Sequence, residues 1–143
     1  MMKFVTGLAL SVALVSGAAF AQNIGEQRIA GMKAQGGAMG ALTKMAKGED
    51  PYDAAKATAA ANTLVTSGKA TAGWFPAGSK SGRAKDEIWS DNAKFQQVAA
   101  AFVVEAEAFA KIAGTGKDAM AAAMGKVGAA CGACHTPYRA PAP

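Results

Sequence analysis

The chain has 143 residues, 51% hydrophobic and 17% charged, with a formal net charge of +5. That length suits one domain with a real core. The charges are scattered and no aromatic-interleaved basic stripe occurs, so they read as a solvated mixed-charge surface and argue against a nucleic-acid partner.

The first stretch reads as a secretory leader rather than fold. Lys3 supplies a short positive region, Phe4 to Val15 an apolar run, and Ala19-Phe20-Ala21 a small-x-small cleavage pattern. The expected cut lies between Ala21 and Gln22, giving a leader over 1–21 and a single domain over 22–143. The run is shorter than the ~20 apolar residues of a membrane span. No Cys follows it to take a lipid, so no membrane anchor is expected after cleavage. Export implies a bacterial periplasmic location. The mature chain stays modestly cationic, which gives a weak preference for acidic partners.

Abundant Ala, few Val and Ile, and Gly and Pro placed mostly between periodic segments predict an all-α chain. A first helix is expected from about Ile24 to Met45, with Ile24, Arg28, Met32, Gln35, Met39 and Leu42 on one stripe. Gly36-Gly37 within it suggest either a close helix crossing or a weak point. Gly48 suits a C-cap, Asp50 an N-cap and Pro51 the first position of a second helix running to about Ala72. Its expected buried side is Ala54, Ala57, Ala61, Leu64 and Val65. Gly73 to Lys85 is irregular, broken by Pro76, Gly78 and Gly82. Trp74 and Phe75 should fold back onto the bundle end. Ser90 or Asp91 caps a third helix to about Ala113, with Phe95, Val98, Phe102, Glu105 or Ala106, and Phe109 facing inward. Gly114-Thr115-Gly116 stop it, and a fourth helix spans about Lys117 to Thr136. Short connections make an antiparallel up-down-up-down four-helix bundle the economical fold.

The fourth helix carries Cys131-Gly132-Ala133-Cys134-His135. C-x-x-C-H is the attachment signature of c-type haem. Two thiols add across the porphyrin vinyl groups and the imidazole ligates the iron. On a helix the three residues share a face. Zinc would need two further ligands, and the chain holds only these 2 Cys and 1 His. No strand–helix alternation supports a thioredoxin-like site. His135 is therefore the proximal iron ligand. The sixth position falls to Met, Lys, water or nothing, the Met candidates being Met32, Met39, Met45, Met120 and Met124.

These features carry a resemblance. An Ala-rich four-helix chain with a leader and a C-terminal haem motif is similar to the class II cytochromes c, the cytochrome c′ fold. The resemblance rests on Arg28-Ile29-Ala30-Gly31-Met32, Gly48-x-x-Pro51-Tyr52-Asp53, Phe75-Pro76 and Ile88-Trp89-Ser90-Asp91 with Phe95. It rests most on Val127-Gly128-x-x-Cys131-x-x-Cys134-His135-x-x-Tyr138-Arg139. It implies that Met32 faces the distal side of the haem, that Arg28 neighbours a propionate, and that Arg139 lies beside the proximal face. Pro137 lacks an N–H and would crowd the carbonyl of Ala133, so the helix is expected to loosen or end just after His135. That would move Arg139 away.

Two functions follow. One is a non-enzymatic periplasmic electron carrier, its haem c ligated by His135 and Met32, serving periplasmic or membrane-bound redox proteins. The alternative is a high-spin, five-coordinate cytochrome c′ binding nitric oxide or carbon monoxide, with Met32 as a steric gate. A peroxidase would want a distal acid–base group, and there is no second His. The first two helices expose Ala, Gly and Lys rather than an apolar patch, so monomer and homodimer both stay open.

Overall fold

The computed structural model describes residues 9–142. Helix α1 spans Ala9–Lys47 and α2 spans Ala54–Thr71, followed by a 3-10 turn over Ala72–Trp74. A one-turn helix, α3 (Glu87–Ser90), leads into α4 (Asn92–Ala110), and α5 covers Lys117–Tyr138. The four long helices form the antiparallel bundle, α1 on α2, α2 on α4, α4 on α5, with α5 closing more sparsely onto α1. Among the described residues there is no strand, only an isolated bridge between Ala84 and Arg139.

Helix α1 starts well before the expected Ile24, because Ala, Leu and Val between residues 9 and 21 give nothing to stop it. It passes unbroken through Ala21 and Gln22. Residues 17–20 of this extension are exposed, and from residue 17 on the first buried position is Gly25. Lys3 and the beginning of the apolar run lie outside the described residues. None of the described helices is long and apolar enough to cross a membrane.

At its other end α1 closes on Gly48, whose φ of 77° suits a residue without Cβ. The Gly48 and Glu49 N–H groups donate to the Met45 and Lys44 carbonyls at 3.2 and 2.9 Å. The cap of α2 is not Asp50. Pro51 stays outside the helix, and Asp53 caps it by accepting the Lys56 N–H at 2.9 Å. The neighbouring Tyr52 hydroxyl donates to the Ala113 carbonyl at 2.9 Å, tethering this segment to the opposite turn before the helix begins. Asp91 caps α4, accepting from Lys94 N–H, and Ile88 and Trp89 form α3 rather than plain loop. Helix α4 ends at Ala110, three residues early, in a run of turns held by Ala113 and Thr115 N–H groups.

Two cores result. The larger runs along the bundle through Leu42, Ala57, Leu64, Phe102, Phe109 and Met120. Ala54 is exposed, contrary to expectation, and Ala106 rather than Glu105 is the fully buried position on α4. The smaller cluster is aromatic: Phe75, Ile88, Phe95 and Tyr138, with Trp74 and Trp89 packed against it. Phe95 meets Phe75 and Tyr138 edge-on, with centroids 4.8 and 5.2 Å away. Trp74 and Phe75 thus return to the bundle as their apolar surface requires. Gly36 and Gly37 face open space, and the close approaches fall at Gly31 against Trp74 and Gly68 against Phe102.

Candidate haem site

Cys131, Cys134 and His135 lie half-buried on the inner side of α5. The helix does not loosen after His135 but continues through Pro137 to Tyr138. Proline costs this turn a donor, but the turn is held by its own last helical bond and by bonds to residues 83 and 85. Arg139 N–H donates to the His135 carbonyl at 3.0 Å, and Lys85 N–H to the Tyr138 carbonyl at 3.1 Å. Ala140 N–H reaches the Arg83 carbonyl at 2.8 Å, while Arg83 Nε returns to the Ala140 carbonyl at 2.7 Å. Buried Tyr138 packs against Phe95. Arg139 consequently stays at the cavity wall instead of swinging away.

Opposite α5, helix α1 presents Arg28 and, one turn on, Met32. The segment between the 3-10 turn and α3 lies across both helices as a strap. Together they border an overwhelmingly apolar, partly open cavity of about 590 Å³, lined by Arg28, Met32, Phe75, Phe95, Cys134 and His135. A second space of about 30 Å³ extends it inward toward Phe102 and Ala99, and it too is bounded by Met32, Cys134 and His135, now with Cys131. The main space falls within the ~300–1,000 Å³ of pockets that hold a bulky ligand.

The donor set fits haem c. Burial lowers the His135 pKa below its ordinary value, and the positive charges of Arg139 and Arg83 lower it further, so the imidazole is neutral and its lone pair is available to a metal. Burial raises both thiols above the usual cysteine range, Cys134 also through its neighbour Cys131, so neither is a reactive thiolate. No cluster of three or more His, Cys, Asp and Glu side chains that could hold a bare metal ion occurs among the described residues. Cys131 and Cys134 would hold the macrocycle at its inner edge, and His135 would ligate the iron.

Arg28 is buried, and most of its donors are already engaged. Nη2 donates to the carbonyls of Trp74 (2.8 Å) and Ser79 (3.1 Å) and to Ser79 Oγ (3.2 Å). Nε also reaches the Trp74 carbonyl at 3.2 Å, and Nη1 donates to Ser81 Oγ at 3.3 Å. The guanidinium lies 4.2 Å from the Phe75 ring centroid. Only Nη1 retains an N–H free of these bonds, and burial lowers the group's pKa. Arg28, Met32, Cys134, His135 and Arg139 all line this one cavity, Arg139 against the expectation drawn from Pro137. Sequence reasoning missed Arg83, Ser79 and Ser81, which carry no signal beyond their place in a Ser- and Gly-rich loop. Arg83 and Arg139 add positive charge at the cavity rim.

Comparison with known proteins agrees with this geometry. The cytochrome C′ family model matches residues 23–139. A cytochrome c-556 of Agrobacterium fabrum is 40% identical over 139 residues, covering 96% of this chain and 95% of that protein. A cytochrome c′ of Alcaligenes xylosoxydans xylosoxydans is 41% identical over 101 residues, covering 70% and 80%. A nitric oxide complex of a cytochrome c prime variant from Alcaligenes xylosoxidans superposes with a TM-score of 0.79 at 33% identity, covering 85% of this chain and 97% of that one.

Proposed function

The chain belongs to the cytochrome c′ family and binds haem c covalently, and on that premise we propose that it is a one-electron carrier with iron ligated by His135 and Met32. The observation that carries this reading is that Met32 and His135 both border the main cavity and its inner extension. A thioether and an imidazole facing one slot suit an iron with two protein ligands. Bound haem supplies an iron that alternates between ferric and ferrous states, and a Met/His pair raises its potential. The protein's part is to hold both ligands, to exclude water with Phe75, Phe95 and Ile88, and to offset propionate charge with the free Nη1 N–H of Arg28. Arg139 would act beside the proximal face. No side chain is required as acid or base.

In this reading residues 1–21 are a leader cut between Ala21 and Gln22, which the exposed 17–20 segment accommodates, and the mature protein works in the periplasm with redox proteins as partners. A five-coordinate, gas-binding state is the second reading, favoured by one observation: a structural relative is a nitric oxide complex. There Met32 would only fill the distal side.

Absorption spectra of the holoprotein, oxidised and dithionite-reduced, with and without carbon monoxide, separate the two. The expected result is sharp reduced bands, a weak far-red oxidised band and no response to carbon monoxide, with Met32→Ala converting the spectrum to high spin. A wild-type spectrum that is broad and shifts with carbon monoxide overturns the electron-carrier reading in favour of gas binding.

A further inference from the structure

The position of Met32 is set by the helix that carries it, and that helix meets the strap and the 3-10 turn before it at three successive points. A Cβ at Gly25 would lie 2.6 Å from Ser81 Oγ. Arg28 spans the Trp74 and Ser79 carbonyls and both serine hydroxyls. At Gly31 a Cβ would run into the Trp74 ring. Three-residue spacing puts these positions on one side of α1. Met32 directly follows the last of them, turned to the cavity.

The strap in turn has fixed points of its own. Ser79 is fully buried, and its hydroxyl donates to the Pro76 carbonyl at 2.7 Å. Trp89 Nε1 donates to the same carbonyl at 3.0 Å. Arg28 is therefore not a surface cation resting on a loop. Its planar fork joins α1 to a braced segment, and a lysine could not reproduce that set of bonds.

The geometry points to Arg28 as the positioning residue for the distal ligand: its bonds to Trp74, Ser79 and Ser81 fix the height and rotation of α1, and so hold the Met32 sulfur within reach of the iron. Sliding or rolling this helix by about an ångström would be enough to break an axial bond whose partner, His135, sits on a different helix. This role is separate from any contact with a propionate, and it rests on the Met32 ligation proposed above.

The test uses holoprotein carrying Arg28→Met, Arg28→Lys or, as a control on the outer side of the same strap, Lys80→Ala, which removes only an exposed pair with Asp86. Covalent haem content and far-ultraviolet circular dichroism establish that each variant is folded and loaded. The expected result is loss of the far-red methionine–iron band, a lower reduction potential and new carbon monoxide binding in Arg28→Met. Arg28→Lys should show several-fold weakening of the band, and Lys80→Ala no change. Full retention of the band by folded Arg28→Lys and Arg28→Met overturns the inference and leaves Met32 ligation standing. A wild-type protein without the band overturns both together. Should Arg28→Met fail to accumulate, Arg28→Lys decides alone, since a methionine bond indifferent to the lost bidentate contacts is incompatible with the fastening.

Discussion

The bundle is built differently at its two ends. Toward the α1–α2 and α4–α5 turns, Leu42, Ala57, Ala61, Phe109, Ala113 and Met120 fill the interior with side chains alone, almost all fully buried. Toward the strap, α1 and α5 stand apart around a cavity of about 590 Å³, and aromatic residues line rather than fill it. Small alanines let helices approach until nothing else fits between them, whereas the larger space needs a bound group to complete its core. The first end is finished by the polypeptide. The second is finished by the haem.

The largest expected effect tests that contrast directly. Replacing both Cys131 and Cys134 with Ser should abolish covalent haem, and the strap end should then lose fixed packing around its empty space. The loss in apparent stability should exceed that of any single core truncation, and near-ultraviolet dichroism from Trp74 and Trp89 should collapse first. A variant that keeps its full denaturation midpoint without haem would show that both ends are self-sufficient. Next in size, Phe109→Ala at the closed end should cost ~3–5 kcal/mol in denaturant unfolding. It should leave the haem spectrum unchanged, because its ring, 2% exposed, lies in the bundle core rather than on the cavity wall. A spectral shift in that variant would mean that the ends are coupled.

The smallest effect is electrostatic. Lys69 on α2 holds Glu107 on α4 at 2.7 Å, and that hydrogen bond and charge, aided by Lys111, keep the carboxyl below its ordinary value of 4.5. A depressed carboxylate stabilises the fold above its ordinary pKa, and the contribution is lost as pH falls through the lower folded value. The pair is exposed, so the thermal midpoint of Glu107→Gln should fall only slightly below that of wild type near neutral pH, and the two should converge in acid or high salt. A difference that persists in acid would assign it to packing.

The closed end was largely legible because it depends on period and composition. Ala106 and Phe109 sit inward as the 3.6-residue repeat requires. Errors there concern ends: Asp53 rather than Asp50 caps α2, since Tyr52 bonds a carbonyl 61 residues away. The strap end was legible only where chemistry left a mark. Cys131, Cys134 and His135 announce themselves by spacing, and Met32 and Arg28 by resemblance, but Ser79, Ser81 and Arg83 by nothing local.

By itself, the sequence determined the all-helical bundle and pointed to the covalent haem and its expected attachment residues, because helical periodicity and a covalent motif are both written within a few turns of chain. Only the tertiary structure decided that α5 would hold its shape through Pro137 and that Arg28 would be taken up by the strap. Both depend on partners distant in sequence: Lys85, Arg83 and Phe95 in one case, Trp74, Ser79 and Ser81 in the other. A local rule gives the cost of a proline or a buried cation, and only the folded neighbours supply the bonds that offset it.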